Sequence, residues 1–322
     1  PREYILAAGV ELPEIEVSMD GGIALLASTG TYNIANGGIN INSNTLEQYN
    51  DATITGSSTN NVIQVSGVEA TITISDLDIQ IPNNDETSTN WIPAIQLGNG
   101  AKLNLILEGK NTLKGGDQCA AIDVPEGCTL TISGEGSLKA TGGGGAGIGA
   151  SRMKNGSLGT IEINGGNIEA YGSGMAAGIG GGLEGGIGTI VINGGTVYAK
   201  GGYGSYPKDI NHVYGGAGIG GGAYGCVDRI EINGGNVTAC GGYVTNAGRH
   251  PGAAIGTGGG GAKPIGEGKY KYGDIVIKGG TVSAIAYNNE VYAIGVAVKP
   301  GQALPEGSTL EGSISISNEA TV

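Results

Sequence analysis

The strongest constraint on this chain is that it repeats itself. One segment begins at Ala146 and reads AGIGASRMKNGSLGTIEINGGNIEAYGS. A second begins at Ala177 and reads AGIGGGLEGGIGTIVINGGTVYAKGG, and a third begins at Ala217 and reads AGIGGGAYGCVDRIEINGGNVTACGG. The order is the same each time: Ala-Gly-Ile-Gly, a loop, an Ile-x-Ile pair, an Asn-Gly-Gly corner, then a short run ending near Ala and Gly. Divergent copies extend upstream from Asn61, Pro93 and Ala120, and downstream through AAIGTGGGG, DIVIKGGTVSAIAY and YAIGVAVKPG. The central isoleucines Ile63, Ile95, Ile122, Ile148, Ile179, Ile219, Ile255 and Ile294 recur at intervals of 26 to 40 residues.

In an extended strand alternate side chains face opposite ways, so an Ile-x-Ile pair sends both isoleucines to one side. The pairs Ile161/Ile163, Ile190/Ile192, Ile230/Ile232 and Ile275/Ile277 keep the outer residues constant. The middle residues Glu162, Val191, Glu231 and Val276 vary. The constant positions therefore point inward and the variable ones outward. One such unit cannot bury its own apolar side, whereas stacked units bury a continuous core. The fold expected is an all-β parallel β-helix of about eight coils, each with three short strands. Its crossovers should be right-handed. Eight rungs spaced by about 4.8 Å give a rod about 38 Å long. We expect one β-helix domain over 1–322, with 1–60 an imperfect N-terminal coil, 61–300 regular coils and 301–322 a C-terminal coil. A leucine-rich repeat would need L-x-x-L-x-L, and a propeller blade would need four strands in about forty residues. Neither pattern fits.

The 67 glycines then have a structural use. The pairs Gly165-Gly166, Gly194-Gly195, Gly234-Gly235 and Gly279-Gly280 mark one tight corner, where positive φ suits glycine. Asn164, Asn193 and Asn233 should stack there as a ladder of side-chain amides. Glycine beside an apolar run is also seen in phosphate loops, but no Gly-Lys-Ser/Thr follows. Hydrophobic residues make up 39% of the chain, which argues against disorder.

The formal net charge of −13, with twelve Lys and four Arg scattered along the chain, speaks against nucleic acid and anionic membranes as partners. The chain has no run of eighteen apolar residues, so no membrane insertion is expected. It starts at Pro1 without a signal-peptide pattern, which fits a mature protein or a piece of something longer. Cys119, Cys128, Cys226 and Cys240 lack CxxC spacing, which disfavours structural zinc. Buried thiols are the first expectation for them, with disulfides Cys119–Cys128 and Cys226–Cys240 as the alternative.

In a solenoid the coils are scaffold, and loops of unequal length carry function. Two long loops, GGYGSYPKDINHVYGG and GGYVTNAGRHPG, belong to adjacent coils and should project side by side. They supply Tyr203, Tyr206, His212, Tyr214, Tyr243, Arg249 and His250 as candidate ligand-binding residues. Tyrosine offers a flat apolar face and a hydroxyl, a combination suited to sugar rings. The competing expectation is that these tyrosines cap the core. A second loop set, with Arg152, Lys154, Tyr224, Lys263, Lys269, Tyr270, Lys271 and Tyr272, reads as a solvated insertion or an acidic-sugar contact. Clustered carboxylates at Asp76, Asp78, Asp85 and Glu86 would suit Ca²⁺, although they do not match an EF-hand.

Parallel β-helices include pectate lyases and polygalacturonases. The Asn-Thr-Asp, Asp-Asp, Gly-His-Gly and Arg-Ile-Lys signatures of the hydrolases are missing here. Glu162 and Glu231 should lie two coils apart, about 9.6 Å along the rod. That is near the separation of an inverting carboxylate pair. Both lie on a plain strand, so solvated charges are the expectation, and no enzyme is expected. The repeats GTIEINGG, GTIVINGG and GGAGIGGG resemble glycine-rich β-helix domains of Firmicutes surface proteins. They also resemble a clostridial carbohydrate-binding β-helix family with a polygalacturonate- and cellulose-binding, calcium-using member. The resemblance covers roughly residues 60–285 and rests on core and corner positions. It implies a secreted or cell-surface module that binds a polysaccharide or host glycan, with Ca²⁺ as the implied cofactor for acidic glycans. The alternatives are an adhesin or structural module binding a host protein and, further off, a polysaccharide lyase or hydrolase.

Overall fold

The computed structural model describes residues 30–82, 91–152, 158–185, 188–206, 209–243, 249–261, 263–266, 269–286, 292–297 and 309–322. The chain is a parallel β-helix with three faces. The first face carries the Ile-x-Ile strands: Glu69–Gln80 (in its first half), Lys102–Glu108, Thr129–Gly134, Thr160–Ile163, Thr189–Ile192, Arg229–Ile232, Lys269–Ile277 and Thr309–Ile316. The second face follows the glycine corner: Lys110–Asp117, Ser137–Gly143, Asn167–Tyr171, Thr196–Lys200, Asn236–Cys240 and Thr281–Ile285. Near the N-terminal end Glu69–Gln80 bends across the corner and pairs on both faces. The third face holds nine strands among the described residues, from Ile39–Ile41 to Ile294–Gly295. Nine rungs rather than eight follow because Ile39 pairs in register with Ile63 and adds one below the repeats evident in the sequence.

Registers keep like residues stacked. On the first face Ile72, Leu105, Ile132, Ile163, Ile192, Ile232 and Ile277 form one inward ladder. On the third face the isoleucines at 39, 63, 95, 122, 148, 179, 219, 255 and 294 form another. Most of these side chains have no exposed surface, and together they line one continuous core. Burying each isoleucine contributes about 2 kcal/mol. At the C-terminal end the stack runs out, and Ile314 and Ile316 stand half exposed.

The corner glycines behave as the repeat predicts. Gly166, Gly195, Gly235 and Gly280 have φ between 82° and 87°. In the earlier rung Asp76 takes the same left-handed role at φ 50°, a conformation aspartate tolerates better than most residues. The amide ladder also forms: Asn193 donates to Asn164 Oδ1 at 2.7 Å, and Asn233 donates to Asn193 Oδ1 at 2.8 Å. All four cysteines are buried thiols, so the disulfide alternative does not hold. Among the described residues no helix is long and apolar enough to cross a membrane.

Candidate functional site

The two long loops meet, as their position on adjacent coils requires. Tyr203–Tyr206 and Asp209–Gly215 form an antiparallel hairpin, with Tyr203 opposite Gly215 and Gly204 opposite Tyr214. Asp209–Gly215 then pairs in parallel with Arg249–His250 from the next loop, through Val213–Arg249 and Tyr214–His250. A small three-stranded sheet thus stands on the side of the rod. It carries Tyr203, Tyr206, His212, Tyr214, Arg249 and His250, with Tyr243 on the approach to it.

The side chains do not all face outward. Tyr203 is 61% exposed. Tyr214, expected at a ligand surface, is instead 5% exposed. Its ring stacks on His250 at 4.8 Å and 10°, and lies 4.8 Å from Tyr224 at 44°. Met175 and Ala223 complete this side core, with Leu183 against it. The capping role therefore applies to Tyr214, and it fixes His250 as a stacking partner. Tyr243 is partly buried. For Tyr206, His212 and Arg249 the backbone is placed in these strands, and their side chains lie outside the described residues.

Of the proposed metal ligands, Asp76 and Asp78 lie among the described residues, and each is engaged by a neighbour. Asp76 accepts the backbone N–H of Lys110 at 2.9 Å, so its carboxylate closes the corner. Asp78 accepts from Gln80 Nε2 at 2.9 Å. Asp85 and Glu86 lie outside the described residues. Among the described residues no three His, Cys, Asp or Glu side chains are grouped to hold a metal.

The carboxylates of the first face are also accounted for. Glu162 and Glu231 lie two rungs apart with Val191 between them, as the spacing predicts. Glu231 is not a freely solvated charge. It accepts from Arg229 Nε at 3.0 Å and from the Lys278 ammonium. Hydrogen bonds from Lys278 and then Arg229 hold its carboxyl down at about 2. A carboxylate so stabilised stays ionised near neutral pH and is a poor proton donor. Glu162 accepts from Asn193 Nδ2 at 3.0 Å. In the second loop set Lys271 pairs with Asp228 at 2.5 Å. Lys154 lies outside the described residues.

Sequence reasoning did not single out two tyrosines on the second face. Tyr171 and Tyr198 sit at outward positions of neighbouring strands. Their ring centroids are 5.8 Å apart at 51°. Tyr171 donates its hydroxyl to Glu169 Oε2 at 3.0 Å, and Lys139 Nζ lies 5.6 Å from its ring centroid. Burial, and then a hydrogen bond with Cys240, push the Tyr198 hydroxyl up to about 12. Burial also raises Tyr171. Both phenols remain protonated donors at any ordinary pH. The signal that could have found Tyr171 is the alternation Asn167-Ile168-Glu169-Ala170-Tyr171, which puts it at an outward position.

Three stretches of the chain, residues 130–152, 161–183 and 230–259, match the Beta helix repeat family. Each runs from a first-face strand through the second face to the third face of the next rung, one full turn of the rod. No curated protein and no solved structure matches the chain.

Proposed function

We propose that the chain is a non-catalytic module that binds polysaccharide or a host glycan, secreted or displayed on a cell surface. The single observation behind this reading is the small sheet built by the two long loops, which carries exposed Tyr203 on one edge strand and His250 on the other. A rigid sheet that presents a tyrosine ring and polar groups suits a sugar, whose ring has apolar C–H faces and a polar rim. The absence of an enzymatic role is part of the proposal. It is supported by Glu231, which is held ionised by two cations, and by Asp76, whose carboxylate closes a corner.

Calcium enters the proposal only for acidic glycans. With a net charge of −13 the protein as a whole repels polyuronates, and a bridging cation would offset that. The test is binding of the full chain to immobilised plant and host polysaccharides, with Ca²⁺ and with chelator, beside Tyr203→Ala and Tyr243→Ala. The expected outcome is retention of at least one glycan and about tenfold weaker binding for Tyr203→Ala. Failure of the wild-type chain to retain any glycan sinks the proposal. A protein-binding adhesin would then be the better account. It has one observation in its favour: Trp91 and Ile92 are 51% and 38% exposed at a corner of the rod.

A further inference from the structure

The second face presents two outward rows of side chains. One runs Asp78, Thr112, Lys139, Glu169, Tyr198, Thr238 and Ser283. The other runs Gln80, Lys114, Thr141, Tyr171, Lys200, Cys240 and Ile285. The tyrosines fall in the middle of the rod, one in each row and on adjacent rungs. Around them are hydroxyls, ammonium groups and one carboxylate, all of which can bond a sugar hydroxyl. Beyond Tyr198 the row continues with Thr238 and Ser283, which are small enough to leave the sheet open.

This patch also adjoins the loop sheet. The strand Thr196–Lys200 leads through only Gly201 and Gly202 into Tyr203–Tyr206. Exposed Tyr203 therefore stands at the edge of the surface that holds Tyr198 and Lys200. The local charge departs from that of the chain as well. Lys114, Lys139 and Lys200 outnumber Asp78 and Glu169 here, in a protein of net charge −13. Such a surface repels neither a neutral nor an anionic polymer.

We infer that the second face at Tyr171 and Tyr198 is the floor on which an extended glycan lies along the rod axis, its pyranose rings packing on the two tyrosines. This inference rests on the carbohydrate-binding reading above and gives it a second contact surface and a direction. Neighbouring rungs are about 4.8 Å apart, close to the repeat of an extended hexopyranose chain, so successive sugars meet successive rungs. Lys139 occupies one side of the Tyr171 ring. Being exposed, it can swing off this weak contact with the ring and bond the arriving sugar instead.

The experiment is calorimetric titration of the full chain with cello-oligosaccharides and with oligogalacturonides of two to six units. The variants are Tyr171→Ala, Tyr198→Ala, Tyr171→Phe, Tyr198→Phe and Tyr203→Ala, each checked for unchanged circular dichroism and melting. The expected result is affinity that rises with length up to about four units for one of the two series. Each floor alanine should lose about tenfold or more, while each phenylalanine stays within about threefold. The series that binds tells a neutral ligand from an anionic one. If wild type binds and only Tyr203→Ala weakens it, the floor is wrong while the glycan reading stands. If phenylalanine loses as much as alanine, ring stacking is wrong. If wild type binds neither series nor any immobilised polysaccharide, both the floor and the reading it rests on fall.

Discussion

The outer side of the third face is built in two ways, although its inner side is one uninterrupted isoleucine ladder. In the N-terminal rungs the strands are Ile39–Ile41, Ile63–Ser66 and Ile95–Gly98, and their outward residues are Asn40, Gln64 and Gln96. These amides face solvent, and Gln64 Nε2 reaches Gln96 Oε1 at 3.4 Å. From Ile122 onward the strands shrink to two residues, and from Ile148 the outward residue is glycine: Gly149, Gly180, Gly220, Gly256 and Gly295. Loops from both flanking corners then close over the face. Ala217 N–H donates to Gly221 O at 2.8 Å across the strand, and Gly259 N–H donates to Gly215 O at 2.6 Å between the loops. The same core thus supports an open, side-chain-decorated surface in one half and a backbone-covered surface in the other. Only the covered half grows the loop sheet and the side core of Tyr214. What is conserved inside the rod fixes the fold, and what replaces the outward side chain decides where loops, and with them candidate binding surfaces, are placed.

The sharpest way to break this comparison is to put a side chain back. Gly220 has φ 136°, and a methyl there would overlap the carbonyl of Gly256 in the next rung, a backbone atom that cannot step aside. Gly220→Ala should cost more than about 3 kcal/mol in denaturant unfolding. Gln64→Ala, in the same outward row but on the open half of the face, should stay within about 0.5 kcal/mol. Comparable losses in the two variants would mean that the outer surfaces do not differ in kind.

The junction between the two halves is Asp123, which occupies the position that is glycine in the next rung. It is buried, and its Oδ1 accepts from Ser151 N–H at 3.0 Å and from Ser151 Oγ at 2.8 Å. Asp123→Ala strands the Ser151 donors and should cost about 2 kcal/mol, whereas Asp123→Asn keeps an acceptor oxygen and should cost less. Equal losses for alanine and asparagine would remove the hydrogen-bond explanation.

The smallest effect concerns acid. The third face of the open half carries amides, while the first face carries Glu231 bound to Lys278 and Arg229. Its carboxyl is lowered from 4.5 to about 2 on folding. The stabilisation is therefore fully present above about pH 4.5 and is lost as pH falls toward 2. Glu231→Gln should lower stability by about 1 kcal/mol at neutral pH and flatten the decline between pH 4.5 and 2. Melting temperature against pH for the two proteins measures this, and parallel curves would mean that Glu231 is not a source of acid sensitivity.

Much of this was legible from residues. The Ile-x-Ile pairs, the Asn-Gly-Gly corners and the amide ladder follow from side-chain period and from the φ that glycine permits, both of which are local properties. The meeting of the two long loops was legible too, because adjacent coils must place equivalent corners side by side. Other features depend on partners distant in sequence. Tyr214 looked like a ligand-facing ring until Met175, Ala223 and Tyr224 arrived from neighbouring rungs to bury it. Asn111, polar at an inward position, is satisfied by binding across three rungs: to Leu77 N–H, Glu108 O and Ser137 O.

The sequence by itself therefore determined the coil, its three faces and the inward ladders, since these are set by a repeat that each rung can read from its own residues. Tertiary structure decided which outward residues become neighbours. Tyr171 meets Tyr198, and Glu231 meets Lys278, only because the register between rungs sets residues from separate coils side by side. That register depends on the loop lengths and corner glycines of every coil acting together.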